Sequence, residues 1–286
     1  MTIILDGKKL AEKLKEELKY QVESLLQKGY KPPTLATILV GDDPASEIYV
    51  RLKHTACKYI GIESIMISIP KDVSVDVVQN RIDELNANKN VHGILLQIPL
   101  PEHLSKYESQ LIQRISPEKD VDGFNNQNRG RLFEYDEELA ACTPKGIITL
   151  LEHYSIDIAG KDVTIINRSN LVGKPLIFMF LKRNGTVTIC HTKTKDIDRY
   201  IKNADILVVA VGIPNFITQD KIKENVVIVD VGTNRIEGKL CGDVDYEDVL
   251  DKVKAITPSP GGVGPMTIYS LMENTITVYK KHMGIE

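Results

Sequence analysis

Amphipathic helical stretches alternate with short apolar runs along nearly all of this 286-residue chain, and that alternation restricts it to an α/β architecture built on a mostly parallel sheet. Leu10, Leu14, Leu18, Val22 and Leu25 keep helical spacing until Gly29, and 34–40 is then a short apolar run of strand type. Ser46 can cap a helix reaching to about Ile60. A strand follows at 65–69, then a helix face at Val75, Val78, Ile82 and Leu85, then a buried strand at 91–96. A second series begins at Thr143, with a helix to about Tyr154, a strand at 163–166, a helix at 172–182 and a strand at 186–190. Further strands are expected at 206–210, 226–231 and near 255–257. The stretch 116–142, rich in Asp, Asn, Gly and Arg, joins the two series and holds the domain boundary.

The run TPSPGGVGPMT at 257–267 is the most unusual local feature. Its glycines let backbone come close to a ligand, and Pro258, Pro260 and Pro265 stiffen it on both sides before a final helix begins. A passive turn does not need three prolines, so the loop reads as a wall of a ligand cleft.

In SEIYVRLKHTAC, the residues Ile48, Leu52, Thr55 and Tyr59 follow a buried stripe, which leaves Tyr49 and Lys53, four apart, together on the neighbouring face. Their helix starts after the loop GDDPAS at the end of one strand, and VHGILLQIPLP puts Gln97 at the end of another. Clefts of open α/β sheets lie at those carboxyl ends. Pro99 and Pro101 cannot continue a central ladder, so the Gln97 amide is displayed where its strand stops. SPEKDVDGF then supplies Asp120 and Asp122, and turn chemistry alone explains one of the two.

These residues resemble the methylenetetrahydrofolate dehydrogenase/methenyltetrahydrofolate cyclohydrolase family. The similar stretches are Y-x-x-x-K at Tyr49 and Lys53, VHGILLQIPLP, PEKDVDGF, CTPKG, RSNLVGKP and PGGVGPMT, in order along nearly the whole chain. The resemblance implies an N-terminal αβα catalytic domain (residues 1–140 plus 267–286, the final helix returning to it) and a C-terminal Rossmann-like dinucleotide-binding domain (141–266). It also implies that Lys53 is the catalytic amine, that Gln97 hydrogen-bonds it, that Tyr49 lines the folate, and that Asp122 holds the pterin edge. Gly262 and Pro265 line the substrate from the loop, opposite Asp122.

Loss of hydride from the one-carbon bridge of 5,10-methylenetetrahydrofolate leaves a methenyl cation, which water must open to 10-formyltetrahydrofolate. A permanently positive lysine would repel that cation. An amine that is neutral part of the time can take a proton from the water or its adduct, and burial and hydrogen bonding favour that form.

Strand VTIIN runs into RSNLVGKPL where a dinucleotide-binding domain places its turn, yet of G-x-G-x-x-G only Gly173 is present. Asn167 stands where the resembled family has glycine, and asparagine tolerates left-handed backbone best among the other residues. Asn167, Arg168, Ser169, Gly173, Thr192, Gly212 and Thr233 are expected to hold the cofactor. The strand that ends at His191 is followed by Thr192 and Lys193 rather than an acid, and with Arg168 this suits a 2′-phosphate, hence NADP rather than NAD. Thr192, Thr233 and Ser259 depart from the serine, isoleucine and valine usual in the family.

A formal charge of −3 with no basic run excludes nucleic-acid binding, and no stretch approaches a membrane span. Cys57, Cys142, Cys190 and Cys241 lack metal or disulfide spacing, so no metal site is expected and free thiols in the cytoplasm are. His54, His92 and His191 read as structural. The resemblance implies a homodimer acting on tetrahydrofolate derivatives. Two rivals make different predictions: a monofunctional dehydrogenase would lack ring opening, and a nicotinamide-binding sensor would leave Tyr49, Lys53 and Gln97 without a role.

Overall fold

A computed structural model describes residues 1–285. In chain order the elements begin β1 (Ile3–Ile4), α1 (Gly7–Gln27), β2 (Thr34–Val40), α2 (Pro44–Ile60), β3 (Glu63–Ile69), α3 (Val75–Ala87) and β4 (Gly93–Leu96). Short helices α4 (Glu102–Ser105), α5 (Glu108–Arg114) and α6 (Asn126–Arg131) lead to α7 (Cys142–His153), β5 (Asp162–Ile166), α8 (Gly173–Lys182), β6 (Thr186–Cys190) and α9 (Ile197–Asn203). The remainder is β7 (Ile206–Val209), β8 (Val227–Asp230), a hairpin of β9 (Asn234–Ile236) and β10 (Lys239–Cys241), α10 (Tyr246–Val249), β11 (Ala255–Ile256) and α11 (Val263–Met283).

The chain divides into two compact units. The first comprises Lys13–Arg131, Glu138–Cys142 and the chain from Ile268 onward. Met1–Glu12, Leu132–Glu137 and Thr143–Thr267 make up the second. Residues 1–12, assigned from sequence to the N-terminal domain, group with the second unit because β1 pairs in parallel with β11, Ile3 opposite Ala255 and Ile4 opposite Ile256. A two-residue strand carries no periodicity, so only a partner some 250 residues away reveals it.

In the first unit the parallel strands are ordered β3-β2-β4. Every residue of β2 is buried, which is why TLATILV is nearly all apolar: a central parallel strand has no wet face. Ala36, Ile38 and Val40 of β2 pack with Val78, Ile82 and Leu85 of α3 and with Ile94 and Leu96 of β4. Each large aliphatic side chain fully buried there contributes about 1.5–3 kcal/mol. An isolated parallel bridge between Ile94 and Asp120 lays the 119–121 segment beside β4, and Ile94 N donates to Lys119 O at 2.7 Å. Lys119, only 6% exposed, donates its ammonium to the carbonyls of Leu85, Asn86 and Asn88, tying that segment to the end of α3.

In the second unit six strands are ordered β1-β11-β8-β7-β5-β6, all paired in parallel. Leu207, Val209, Ile217, Ile228 and Ile256 share its core. Helix α9 and the β9–β10 hairpin are elements that the sequence pattern did not reveal. IDRYIKN buries only Ile201, so it shows no apolar stripe, and the hairpin is largely exposed.

Candidate functional site

The loop after β2 is capped by Asp43, whose Oδ2 accepts from Ser46 N at 2.7 Å, so α2 starts at Pro44 and Ser46 is its third residue rather than its cap. The inward face of α2 also differs from the sequence expectation. Ile48 and Leu52 are 48% and 50% exposed and Thr55 and Tyr59 face outward, while Ser46, Val50, Cys57 and Ile60 are buried. Lys53 falls on that inward stripe, three residues after Val50 and four before Cys57, whereas Tyr49 is 39% exposed. A charged residue on the inner face of a helix breaks the apolar pattern, and the spacing of Ile48, Leu52, Thr55 and Tyr59 then imitates a buried stripe.

Strand order β3-β2-β4 makes the carboxyl ends of β2 and β4 a point where the connections leave in opposite directions, and such a point opens a crevice. Lys53 Nζ and Gln97 Oε1 span it, 3.0 Å apart. Gln97 is fixed at both ends, its backbone N donating to Ile38 O at 2.9 Å and its Nε2 to Ile98 O at 2.7 Å. With its nitrogen so engaged, the amide offers only its oxygen to Lys53, which therefore acts as the donor. One N–H spent on Gln97 leaves the rest of the amine to face a ligand.

Asp122 arrives at the same end, because Asp120 lies in parallel register beside Ile94 of β4 and Asp122 is two residues further on. The two aspartates separate cleanly. Asp120 is the turn former, accepting from Gly123 N, Asn125 N and Asn128 Nδ2. Asp122 is half-buried, and burial pushes its carboxyl up to about 6; the Lys53 charge pulls it back down, Asp120 raises it further and a hydrogen bond from Cys142 opposes that rise. Lys53, Gln97 and Asp122 are thus one electrostatic group, with Tyr49 a turn earlier on α2. A cavity of about 210 Å³ lies elsewhere in this unit, between α1 and α11, and none of these residues lines it.

In the second unit the corresponding crevice lies between the carboxyl ends of β5 and β7, since β6 and β7 flank β5 on opposite sides. Asn167 spans it, donating Nδ2 to Ala210 O at 2.6 Å. Its Oδ1 accepts from Ser169 N at 2.8 Å and from Gly173 N at 3.1 Å, the latter the first residue of α8. Asn167 is not among the residues with positive φ, so the expectation that asparagine serves here for left-handed backbone is overturned. Its amide is the reason it stands there: the side chain closes the turn and caps α8. Gly173 is required by proximity, because a Cβ at that position would lie 2.1 Å from Asn167 O. Ser169 Oγ accepts from Val172 N at 3.1 Å, and Arg168 is exposed at the mouth.

Thr192 and Lys193 are exposed after β6, where His191 Nδ1 accepts from Lys193 N at 3.1 Å and shapes the turn. Gly212, after β7, has φ +69° and is exposed; Thr233, after β8, is exposed too. Gly262 is buried at the end of the proline-rich loop, donating to Pro258 O at 2.7 Å. Helix α11 begins at Val263, inside the glycine-rich motif, so Pro265 sits in its first turn, where a missing N–H costs nothing.

Sequence reasoning missed Asp230 and Asp243. Both are buried carboxylates that collect backbone N–H groups from the loops carrying Gly212 and Gly232. In CGDVDYED the second of these looks like part of a surface acidic run, and Gly242 just before it is the only local hint.

Two family models cover most of the chain: the tetrahydrofolate dehydrogenase/cyclohydrolase catalytic domain over residues 5–122, and the tetrahydrofolate dehydrogenase/cyclohydrolase NAD(P)-binding domain over residues 141–283. The bifunctional protein FolD of Aquifex aeolicus is 51% identical over 282 residues, spanning 98% of this chain and 96% of its own. Among solved structures, the bifunctional FolD dehydrogenase/cyclohydrolase of Campylobacter jejuni is 46% identical with a TM-score of 0.95, covering 98% of this chain and 99% of its own. The Trypanosoma brucei FolD enzyme, solved with NADP cofactor and an inhibitor, is 32% identical with a TM-score of 0.93, covering 99% of this chain and 98% of its own.

Proposed function

Because the chain belongs to the tetrahydrofolate dehydrogenase/cyclohydrolase family, we propose that Lys53, Gln97, Asp122 and Tyr49 carry out the folate chemistry of a bifunctional enzyme. Its first reaction oxidises 5,10-methylenetetrahydrofolate to 5,10-methenyltetrahydrofolate with NADP. Its second adds water to the methenyl carbon and opens the ring to 10-formyltetrahydrofolate, releasing one proton.

The observation that carries the assignment is the Lys53 Nζ–Gln97 Oε1 bond, 3.0 Å across the crevice of the first unit. Gln97 holds the amine in one orientation, and in its unprotonated form Nζ can take the proton that leaves the attacking water. The same nitrogen then returns a proton to the ring nitrogen as the carbon–nitrogen bond breaks. The Asp122 carboxyl, pushed up to about 6, offers both an acceptor and, when protonated, a donor to the N–H and carbonyl edge of the pterin. Tyr49, half out of the helix surface, covers an apolar face of the ligand.

NADP, when bound, accepts the hydride. The residues of the second unit fit it. The Asn167 turn and the space that Gly173 keeps free form a cradle at the start of α8, a place suited to phosphate. Exposed Arg168, Thr192 and Lys193 present positive charge and a hydroxyl, with no carboxylate at the end of β6, which suits a 2′-phosphate. Gly212 and Thr233, from the loops after β7 and β8, complete the cofactor set.

The enzyme works as a cytoplasmic homodimer in this reading. Its four cysteines are free thiols, as a reducing compartment keeps them, and no helix of the described residues is long and apolar enough to cross a membrane. Phe133, 69% exposed and packed 4.4 Å from the Phe178 ring, supplies an apolar surface for a second copy.

The test is to mix the protein with 5,10-methylenetetrahydrofolate and NADP, following NADPH and the methenyl species separately. NADPH production without methenyl build-up is expected. Methenyl accumulating in step with NADPH would remove the hydrolytic role of Lys53.

A further inference from the structure

The loops after β7, β8 and β11 leave the carboxyl edge of the second unit's sheet, and each carries glycine or serine at its tip. Short glycine-bearing loops do not hold one shape unaided. Here they are tied to two carboxylates. Asp243, with no exposed surface, accepts from three successive amides of the first loop: Val211 N at 2.6 Å and Gly212 N at 3.1 Å on Oδ2, and Ile213 N at 3.0 Å on Oδ1. Its Oδ1 also accepts from Asn234 Nδ2 at 2.8 Å, which belongs to the stretch following β8. Three amides in a row converging on one anion form a nest whose occupant is built into the chain.

Asp230, 4% exposed, does the same for the second loop. Its Oδ1 accepts from Gly232 N at 2.9 Å and Asp243 N at 3.0 Å, and its Oδ2 from Val244 N at 3.1 Å. The third loop is joined by Thr257 Oγ1, which accepts from Asp230 N at 2.8 Å, and by Ser259 Oγ, which donates to Gly232 O at 3.1 Å. Space for the pair comes from two glycines: a Cβ on Gly232 would lie 2.2 Å from the Asp243 carboxyl carbon, and one on Gly242 would lie 1.8 Å from Asp230 Oδ2. Side-by-side burial of two acids is costly, and burial pushes the Asp230 carboxyl up to about 6 despite its three N–H partners, with the Asp243 charge adding to the rise. A fold needing only a core would place apolar side chains there.

We propose that Asp243, seated on Asp230, is the positioning residue that presets the 210–214 and 230–234 loops to receive the nicotinamide nucleotide. This rests on the reading of the second unit as the NADP-binding one. Neither carboxylate reaches the ligand; each acts through the backbone amides it holds. The orphaned amides left by removing such an acceptor are what reshape a loop.

The experiment compares full-length wild type, Asp243→Asn and Gly232→Ala by calorimetric titration with NADP, by hydrogen exchange of the Val211, Gly212 and Ile213 amides, and by thermal melting. Asp243→Asn keeps the shape of the side chain but has only one acceptor for four donors. It is expected to weaken NADP binding about 10- to 100-fold, to lose protection at those three amides, and to leave the KM for methylenetetrahydrofolate and kcat at saturating NADP within about threefold of wild type by the same reasoning. Gly232→Ala, which displaces the carboxylate without removing it, is expected to shift NADP affinity the same way, and it carries the test if Asp243→Asn does not fold. An NADP Kd within twofold of wild type in the folded variants, or unchanged exchange at the three amides, overturns the proposal. Wild type that fails to bind NADP at all overturns instead the reading on which it rests.

Discussion

Asn167 separates two physical accounts of one turn, and replacing it with glycine makes them disagree in sign. If the residue stood there for left-handed backbone, Asn167→Gly would be neutral or stabilising by up to about 1 kcal/mol, since glycine adopts that conformation without steric cost. In the structure the amide makes three hydrogen bonds, to Ser169 N, Gly173 N and Ala210 O. At about 0.5–1.5 kcal/mol net each, and discounted because the half-buried site lets water replace part of them, they amount to about 1.5–2 kcal/mol. Glycine's larger freedom in the unfolded chain adds about 0.5–1 kcal/mol, so the expected loss is about 2–3 kcal/mol. For a unit of this size that lowers the melting temperature by about 5–10 °C. Far-UV circular dichroism melts give the stability, and hydrogen exchange at Ser169 and Gly173 shows whether the loss is local to the turn. Asn167→Asp keeps the acceptor for both amides and loses only the donor to Ala210 O, so it should fall between. A glycine variant that melts at or above the wild-type temperature would refute the side-chain account.

Lys53→Met should lower ring opening of added methenyltetrahydrofolate by about 10²- to 10⁴-fold, the range of a lost acid/base group; a wild-type rate would remove Lys53 from the hydrolysis. Asp122 titrates near 6 when folded, against about 3.9 in the unfolded chain, so the folded state holds a proton between those values that the unfolded state releases. Its contribution to stability is therefore present below about pH 4 and lost as pH rises through about 6, and Asp122→Asn should gain about 3 kcal/mol relative to wild type between those limits. Urea midpoints of both proteins across that range measure it, and a pH-independent difference would contradict it. Gly173→Ala puts a methyl group 2.1 Å from Asn167 O and should cost about 1–3 kcal/mol of stability with at least a tenfold loss of NADP affinity; unchanged binding would show that the turn can give way.

The sequence by itself determined what depends on neighbours along the chain. Periodicity located β2, α3, β5 and α8 to within a few residues, because burial on one side of a helix or on both sides of a central strand is written in the spacing of apolar residues. Position on the fold brought out Lys53 and Gln97 as candidates, and the family resemblance assigned their roles and chose Asp122. What separates Asp122 from Asp120 was not legible, since both sit in the same five residues and only the partners of Asp120, from Gly123 to Asn128, mark it as the turn former. Tertiary structure alone decided that Lys53 rides the inner stripe of α2, that β1 pairs with β11, that Asn167 works through its amide, and that Asp230 and Asp243 hold loops whose amides lie up to 32 residues away. The reason is common to all four. Each role depends on at least one partner distant in sequence, and a hydrogen-bond acceptor or a buried face acquires its full meaning only when folding brings that partner into contact.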